Sequence, residues 1–263
     1  MINTWPLSEQ SLARTYRSSY DDAYEAILDY RRVKSYQQSH PDAGSYKVAN
    51  ALELPRGRIR GWMDDTKPDA LSGVRRAEEL GWFDVDPNEP ADPLLEPFIR
   101  LLAGIYAGGS IRSSGWTPHW TVNGPIDLIK QALDKLGLEY RQTHGQDTQR
   151  ATELVPRSDG SLLGRSLSVL GAPTQSKNKS SIDDLPAYLF KLPLEIRREF
   201  VNVYVEYRQS GDSQTVSLQE DRADSYHRDL AGLISSVIDD TDAVTVGKRG
   251  IYISADVYDR LSL

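Results

Sequence analysis

Apolar residues recur at helical spacing along the first third of the chain and predict three helices there. The first covers residues 24–38, the second covers 46–52 with Ser45 as its N-cap, and the third covers 57–63. Residues 53–56 form a tight turn between the second and third helices. Three helices with a short turn before the last one are the plan of a helix-turn-helix domain.

The predicted third helix is basic. It carries Arg58 and Arg60, with Arg56 at its start, while Lys47 lies on the helix before it. An arginine in the major groove can donate two hydrogen bonds to guanine or contact phosphate. We therefore expect these four residues to bind DNA. The alternative is a helical hairpin whose basic face is only solvated.

The small core that would join these two helices consists of Val48, Ala49, Ile59 and Trp62. The segment Val-Ala-Asn-Ala-Leu-Glu-Leu-Pro-Arg-Gly-Arg-Ile-Arg-Gly-Trp, residues 48–62, resembles the homeodomain-like helix-turn-helix segments of transposases and prokaryotic regulators. This resemblance implies that the third helix enters the major groove.

Residues 84–97 contain four prolines among acidic residues, which predicts neither a helix nor a central strand. We expect a linker there, between a domain at 1–83 and a second one at 98–263.

Beyond the linker, the pattern predicts helix, strand, strand, helix, strand, strand, and then the same order again, in halves of about 98–192 and 193–263. Helices are expected at 125–136 and 223–238, and strands at 113–122, 138–143, 152–156 and 166–170. The expected fold class is α+β.

Residues 101–111, Leu-Leu-Ala-Gly-Ile-Tyr-Ala-Gly-Gly-Ser-Ile, resemble the LAGLIDADG helix of homing endonucleases. In that alignment Gly108 takes the place of the metal-binding acid, and Gly109 follows it. The second copy of the motif falls at 197–210, where Glu206 is an inner acidic position and Arg208 replaces the metal-binding acid.

Glycine has no side chain, and an arginine stays cationic in a protein, so neither residue can hold a metal ion. The resemblance therefore implies two saddle-shaped antiparallel sheets that bind DNA, without the metal ions that cleave it.

The formal net charge of −7 argues at first against nucleic acid, but the positive charge is local. Residues 31–60 contain seven Lys or Arg and two acids, and residues 141–180 contain six and three. From the second segment we expect phosphate contacts by Arg141, Arg150, Arg157, Arg165, Lys177 and Lys179. The chain has 25 Asp against 13 Glu and 22 Arg against 9 Lys, a balance that suggests a halophilic, haloarchaeal source. The alternative is an ordinary acidic bacterial protein.

The absence of cysteine excludes disulfides and thiolate chemistry, and no nucleotide-binding or catalytic-triad pattern occurs. No run is apolar enough for a membrane helix.

We expect a cytoplasmic transcriptional regulator that binds specific double-stranded DNA, as a monomer or a homodimer. We expect no cofactor, metal, membrane contact or nuclease activity. Two alternatives stay open. One is an active endonuclease that uses Glu206 with Asp212 or Glu220, and the other is a protein-interaction module.

Overall fold

The computed structural model of the chain describes residues 5–144, 151–174, 184–210, 215–238, 240, 244–247 and 250–254. The chain divides into two compact units. One is Pro6–Phe83, and the other is Asp84–Leu263 together with the N-terminal residues as far as Trp5. The protein is of mixed α and β structure, with two small antiparallel sheets in the second unit. No helix in the described ranges has both the length and the apolar character needed to cross a membrane.

The first unit is helical. Its helices are α1 (Glu9–Ala13), α2 (Ala23–Ser39), α3 (Ser45–Leu52), α4 (Arg56–Met63) and α5 (Asp69–Glu79). The carboxylate of Asp22 caps α2 by accepting a hydrogen bond of 3.0 Å from the backbone N–H of Tyr24. Ile27, Tyr30 and Val33 lie three residues apart on α2 and are buried, so this face of the helix forms the centre of the unit.

The three helices predicted for this unit are confirmed, and each begins one residue earlier than expected. Ser45 is the first residue of α3, and Gly44 is its N-cap. The Ser45 hydroxyl instead accepts a hydrogen bond from Arg56 Nε at 3.1 Å. Helix α4 begins at Arg56 because Pro55, with its φ fixed at −60°, provides the N-cap.

The second unit has the predicted order of elements except for α8, a helix that was not expected. In chain order they are α6 (Leu95–Ala107), β1 (Gly109–Ile111), β2 (Pro118–Thr121), α7 (Ile126–Lys135), β3 (Tyr140–Thr143), β4 (Glu153–Pro156), α8 (Gly160–Val169), a 3₁₀ turn (Leu189–Lys191), α9 (Leu194–Arg208), β5 (Gln209–Ser210), β6 (Thr215–Gln219), α10 (Asp224–Ile238), β7 (Val244–Gly247) and β8 (Gly250–Ser254). The first sheet has the strand order β1-β2-β4-β3, and the second has β5-β6-β8-β7. The two halves therefore repeat one topology, and α6 packs against α9.

Three expectations about this unit are wrong. Residues 166–170 were expected to form a strand, but most of them lie in α8, because Leu162, Leu163 and Leu167 bury one face at helical spacing. The expected linker ends too late, since α6 begins at Leu95. Pro97 is tolerated there because the first turn of a helix has no internal partners for its N–H groups.

The third difference concerns the start of the chain. Trp5 was expected in the first domain, but it belongs to the second unit. Its ring centroid lies 6.2 Å from that of Phe98 and 6.0 Å from that of Tyr188.

The core of the second unit forms where α6 meets the first sheet. A Cβ at Gly104 would come within 2.7 Å of Trp120 Cδ1, so the glycine lets the indole of β2 lie against the helix. Trp120 is fully buried, and its Nε1 donates a hydrogen bond of 3.3 Å to the carbonyl of Leu101. Since side chains alternate along a strand, the neighbours of Trp120 point to the opposite face of the sheet.

Candidate nucleic-acid interface

Helices α3 and α4 are joined by a turn of three residues, 53–55. Glu53 ends α3 in the left-handed conformation with φ of 56°, and Leu54 N–H donates to the carbonyl of Ala49 at 3.0 Å. As the sequence predicts, Val48 and Ala49 of α3 and Ile59 and Trp62 of α4 are buried. These contacts fix the angle at which α4 leaves the turn.

The three arginines of α4 do not share one face of the helix. At about 100° per residue, Arg56, Gly57 and Arg60 lie within one exposed arc, opposite the buried Ile59 and Trp62. Arg60 forms no ion pair with any described residue. Lys47 on α3 is also exposed. The arc of Arg56, Gly57 and Arg60 is called the exposed face of α4 below.

Arg58 lies outside this arc and contacts an aromatic ring. Its guanidinium carbon lies 4.0 Å from the ring centroid of Tyr20, a cation–π contact. The same ring stacks on Trp62, with centroids 6.4 Å apart and planes at 19°. The Tyr20 hydroxyl donates to Asp29 Oδ2 at 2.9 Å. Burial, aided by this hydrogen bond, raises the pKa of Tyr20 to about 12. Tyr20 therefore fixes the direction of Arg58.

Much of the positive charge that the sequence places in residues 31–60 is paired. Arg31 contacts Glu9 at 2.8 Å and Arg32 contacts Asp29 at 2.8 Å. The hydrogen bond from Arg31 lowers the pKa of Glu9. Lys34 lies 4.0 Å from Asp65. The cations of α2 are thus balanced by acids, so the local excess lies on α3 and α4.

A second basic surface lies on the first sheet, on the side opposite Trp120. We call it the outer face of the first sheet. Its members share the alternation and register of His119 in β2, and they are Ser110, Arg112, His119, Thr121, Arg141, Thr143, Glu153 and the buried Val155. Arg112 and Arg141 are exposed. Arg157, which follows β4, is exposed as well, so three cations lie on this face or at its edge.

The buried His119 and the half-buried Glu153 form the centre of that face. Nδ1 of His119 lies 3.0 Å from Glu153 Oε2, and Arg112 Nη2 lies 3.4 Å from the same oxygen. Burial lowers the pKa of His119, and Arg112 lowers it further, while Glu153 acts in the opposite direction. Nε2 of His119 is buried with no hydrogen-bond partner among the described residues. The imidazole is therefore neutral near pH 7.

The remaining predicted phosphate contacts are scattered. Arg165 was expected on or near a strand, but it lies on α8, with its guanidinium 4.6 Å from the ring centroid of Trp116. Arg150, Lys177 and Lys179 lie outside the described residues. On the second sheet, the residues in register on the corresponding face include Ser217, Thr245 and Tyr252, which carry hydroxyl groups rather than charge.

Gly108, the first predicted motif position, is covered by an aromatic ring. A Cβ added at Gly108 would overlap the ring of Tyr207 from α9, and one at Gly124 would overlap the same ring. The Tyr207 hydroxyl donates to the carbonyl of Thr121 at 3.1 Å. A Cβ at Gly109 would come within 2.5 Å of the His119 carbonyl, so close strand pairing also requires glycine there.

Arg208, the second motif position, belongs to a buried network of charged residues. Its Nη2 donates to Glu220 Oε2 at 3.0 Å, and Arg222 Nε donates to the same oxygen at 2.9 Å. Tyr204 donates a hydrogen bond to Glu220. Arg222, 2 % exposed, also donates to the carbonyl of Tyr106 in the last turn of α6 at 3.0 Å. This cation satisfies a carbonyl that the end of the helix leaves without a partner.

The acids proposed for the alternative nuclease do not form a metal site in the described part of the chain. Glu220 is held by two arginines. Glu206 is exposed, and partial desolvation of its carboxyl group raises its pKa. Asp212 lies outside the described residues. No group of three or more His, Asp or Glu side chains among the described residues could hold a metal ion.

Sequence reasoning missed Tyr20, Tyr207, Arg112 and Arg222. Tyr207 contacts Thr121, 86 residues away, and Arg222 contacts Tyr106, 116 residues away. No local pattern could signal such pairs. Arg112 could have been found, because it follows β1 in the alternation that exposes Ser110.

Comparison with known proteins assigns no family. No protein-family model matches this chain, and no curated protein matches it either.

Proposed function

We propose that the protein binds specific sequences in double-stranded DNA through α4, and that it regulates transcription without cutting the DNA. The observation that carries this proposal is the distribution of charge in the helical unit. The cations of α2 are paired with acids, whereas Lys47, Arg56 and Arg60 are exposed around the turn between α3 and α4. Exposed cations beside a short turn suit the phosphates and base edges of a major groove.

The second unit supports the same proposal as a LAGLIDADG-like scaffold. Its two halves repeat one topology, and Arg112, Arg141 and Arg157 provide cations on or beside the outer face of the first sheet. We assign phosphate contacts to this sheet, since the hydroxyl-bearing face of the second sheet offers no comparable charge among its described strand residues.

The absence of nuclease chemistry is supported by what occupies the two motif positions. The ring of Tyr207 fills the space beside Gly108, and Arg208 is paired with Glu220. A divalent cation needs oxygen ligands, and at these positions it would meet an aromatic ring and a guanidinium group.

The test is a selection from random DNA duplexes by the full chain across a salt series, with Mg²⁺ or with a chelator. We expect retention of one sequence motif and no cleavage. If Arg56 and Arg60 contact bases, Arg56→Ala and Arg60→Ala should each weaken the binding free energy for the selected site by about 1–3 kcal/mol. If they contact phosphate, each change should instead lower the slope of log affinity against log salt concentration by about one unit. The control is Arg75→Ala, which removes an exposed arginine from α5 of the same unit. It should change neither the affinity for the selected site nor the salt dependence of binding.

Other outcomes would decide against this function. Cleavage that depends on Mg²⁺ would establish a nuclease. A failure to retain any duplex at low salt would exclude DNA binding and favour a protein partner.

A further inference from the structure

Gly57 lies on the exposed face of α4, beside Arg56 and Arg60. A Cβ built at this glycine meets no atom within 4 Å. Its φ is not positive, so the backbone does not require glycine. The protein itself therefore gives no steric reason for the missing side chain.

Several other glycines of the chain do have such reasons. A Cβ at Gly61 would come within 2.6 Å of Thr66 Oγ1, and one at Gly104 would come within 2.7 Å of Trp120. Gly137 has a φ of 69° after α7, where a side chain would be strained. Gly57 lacks both kinds of reason, although glycine in a helix lowers its stability. Gly232 of α10 lacks them as well, but Gly57 differs from it in lying beside two exposed arginines of α4, the helix assigned to DNA binding.

We propose that Gly57 is the point at which DNA approaches α4 most closely, and that it determines specificity. This inference rests on the proposed function. A side chain at position 57 would project from the helix beside Arg56 and Arg60. It would hold the helix axis further from the base edges, and neither arginine could then form both hydrogen bonds to guanine. The open helix surface at Gly57, beside the two arginines, thus provides room for a base pair or its backbone.

The experiment compares Gly57→Ala and Gly57→Leu in the full chain, on the selected duplex and on a scrambled duplex. We expect both variants to unfold at the wild-type temperature or above it, because Ala and Leu favour a helix more than Gly does. Affinity for the selected duplex should fall by about ten-fold or more with Leu, and by less with Ala, since a bidentate arginine–guanine pair is lost. Affinity for the scrambled duplex should change little, because phosphate contacts dominate there.

Gly232→Ala is the matched control. Gly232 is an exposed glycine of α10 in the second unit, and a Cβ there would have Phe190 Cε1 as its neighbour at an ordinary 3.9 Å. We expect it to gain stability like the Ala variant at 57 while it keeps wild-type affinity for both duplexes.

Two results would overturn the inference, and they can be told apart. If the wild-type chain selects a motif and Gly57→Leu binds it equally well, the role of Gly57 is wrong and the proposed function stands. If the wild-type chain selects no duplex, the proposed function fails, and the inference fails with it.

Discussion

The ring of Tyr207 lies over the backbone of Gly108 and leaves no room for a side chain there. The two residues lie at the ends of α9 and α6, the helices that pack together at the centre of the second unit. The Tyr207 hydroxyl also donates to Thr121 at the end of β2. One side chain thus joins the two halves of this unit, and glycine is required at position 108 for a structural reason.

We predict that Gly108→Ala destabilises the wild-type protein but not a Tyr207→Ala variant. In the wild type the added methyl group overlaps the ring, at a cost of about 1–3 kcal/mol. Once the ring is removed, the methyl group has space and the cost should largely disappear. Denaturant unfolding of the four proteins in a double-mutant cycle measures the coupling. Equal costs in both backgrounds would show that the ring does not occupy this space.

Glu220 should contribute strongly to stability. It is buried, and it accepts hydrogen bonds from both Arg208 and Arg222. Glu220→Gln removes the carboxylate and leaves two guanidinium groups without their counter-charge, so we expect a loss of about 3–5 kcal/mol. The control is Asp127→Asn, which removes an exposed acid paired with Lys130 and should cost well under 1 kcal/mol. A similar small loss for both variants in thermal or denaturant unfolding would contradict the prediction.

The sequence predicts the order of elements well because that order depends on local periodicity. The helices around the turn and the packing helix α10 follow from apolar spacing alone. The segment at 166–170 was predicted wrongly because a short apolar run fits a strand or a helix equally well. Leu162 and Leu163, just before that run, complete the helical face.

The candidate site was harder to predict, because charge along the chain does not reveal pairing in space. Arg31 and Arg58 look equivalent in the sequence. In the structure, Arg31 is paired with Glu9, 22 residues earlier, and Arg58 is stacked on Tyr20. Motif alignment locates Gly108 and Arg208, but it cannot identify the residues that contact them, since these come from distant parts of the chain.

His119 should make the protein less stable as the pH falls. Burial and Arg112 lower its pKa in the folded state, against the opposing effect of Glu153, while His144 contributes a smaller repulsion. The unfolded chain therefore binds a proton more readily. At a pH above the ordinary pKa of histidine, His119 is neutral in both states and does not affect stability. As the pH falls from that ordinary pKa towards the lower pKa of the folded state, the free energy of unfolding decreases.

The measurement is the free energy of unfolding of the wild type and of His119→Gln between about pH 8 and about pH 5. We expect the wild type to lose more stability than the variant over this interval. His40→Gln, a change at an exposed histidine, should follow the wild type. Parallel curves for the wild type and His119→Gln would show that His119 does not titrate differently on folding.

Tyr20 should stabilise the helical unit mainly through its ring. Tyr20→Phe keeps the stack between Arg58 and Trp62 and loses the hydrogen bond to Asp29, so we expect a cost of about 1 kcal/mol. Tyr20→Leu also loses the cation–π and ring contacts, which should add about 1–2 kcal/mol. Tyr46→Leu, at a tyrosine 68 % exposed on α3, is the control and should lie within about 0.5 kcal/mol of the wild type.

The contact with Arg58 can be isolated from the rest of the ring's packing. Arg58→Ala should cost about 0.5–1 kcal/mol in the wild type and in Tyr20→Phe, because both have a ring beneath the guanidinium. In Tyr20→Leu it should cost almost nothing, since the cation then has no aromatic face to lie on. Denaturant unfolding of the single and double variants gives the coupling directly. If Arg58→Ala costs the same in all three backgrounds, the ring does not hold Arg58, and its guanidinium is free to move around α4.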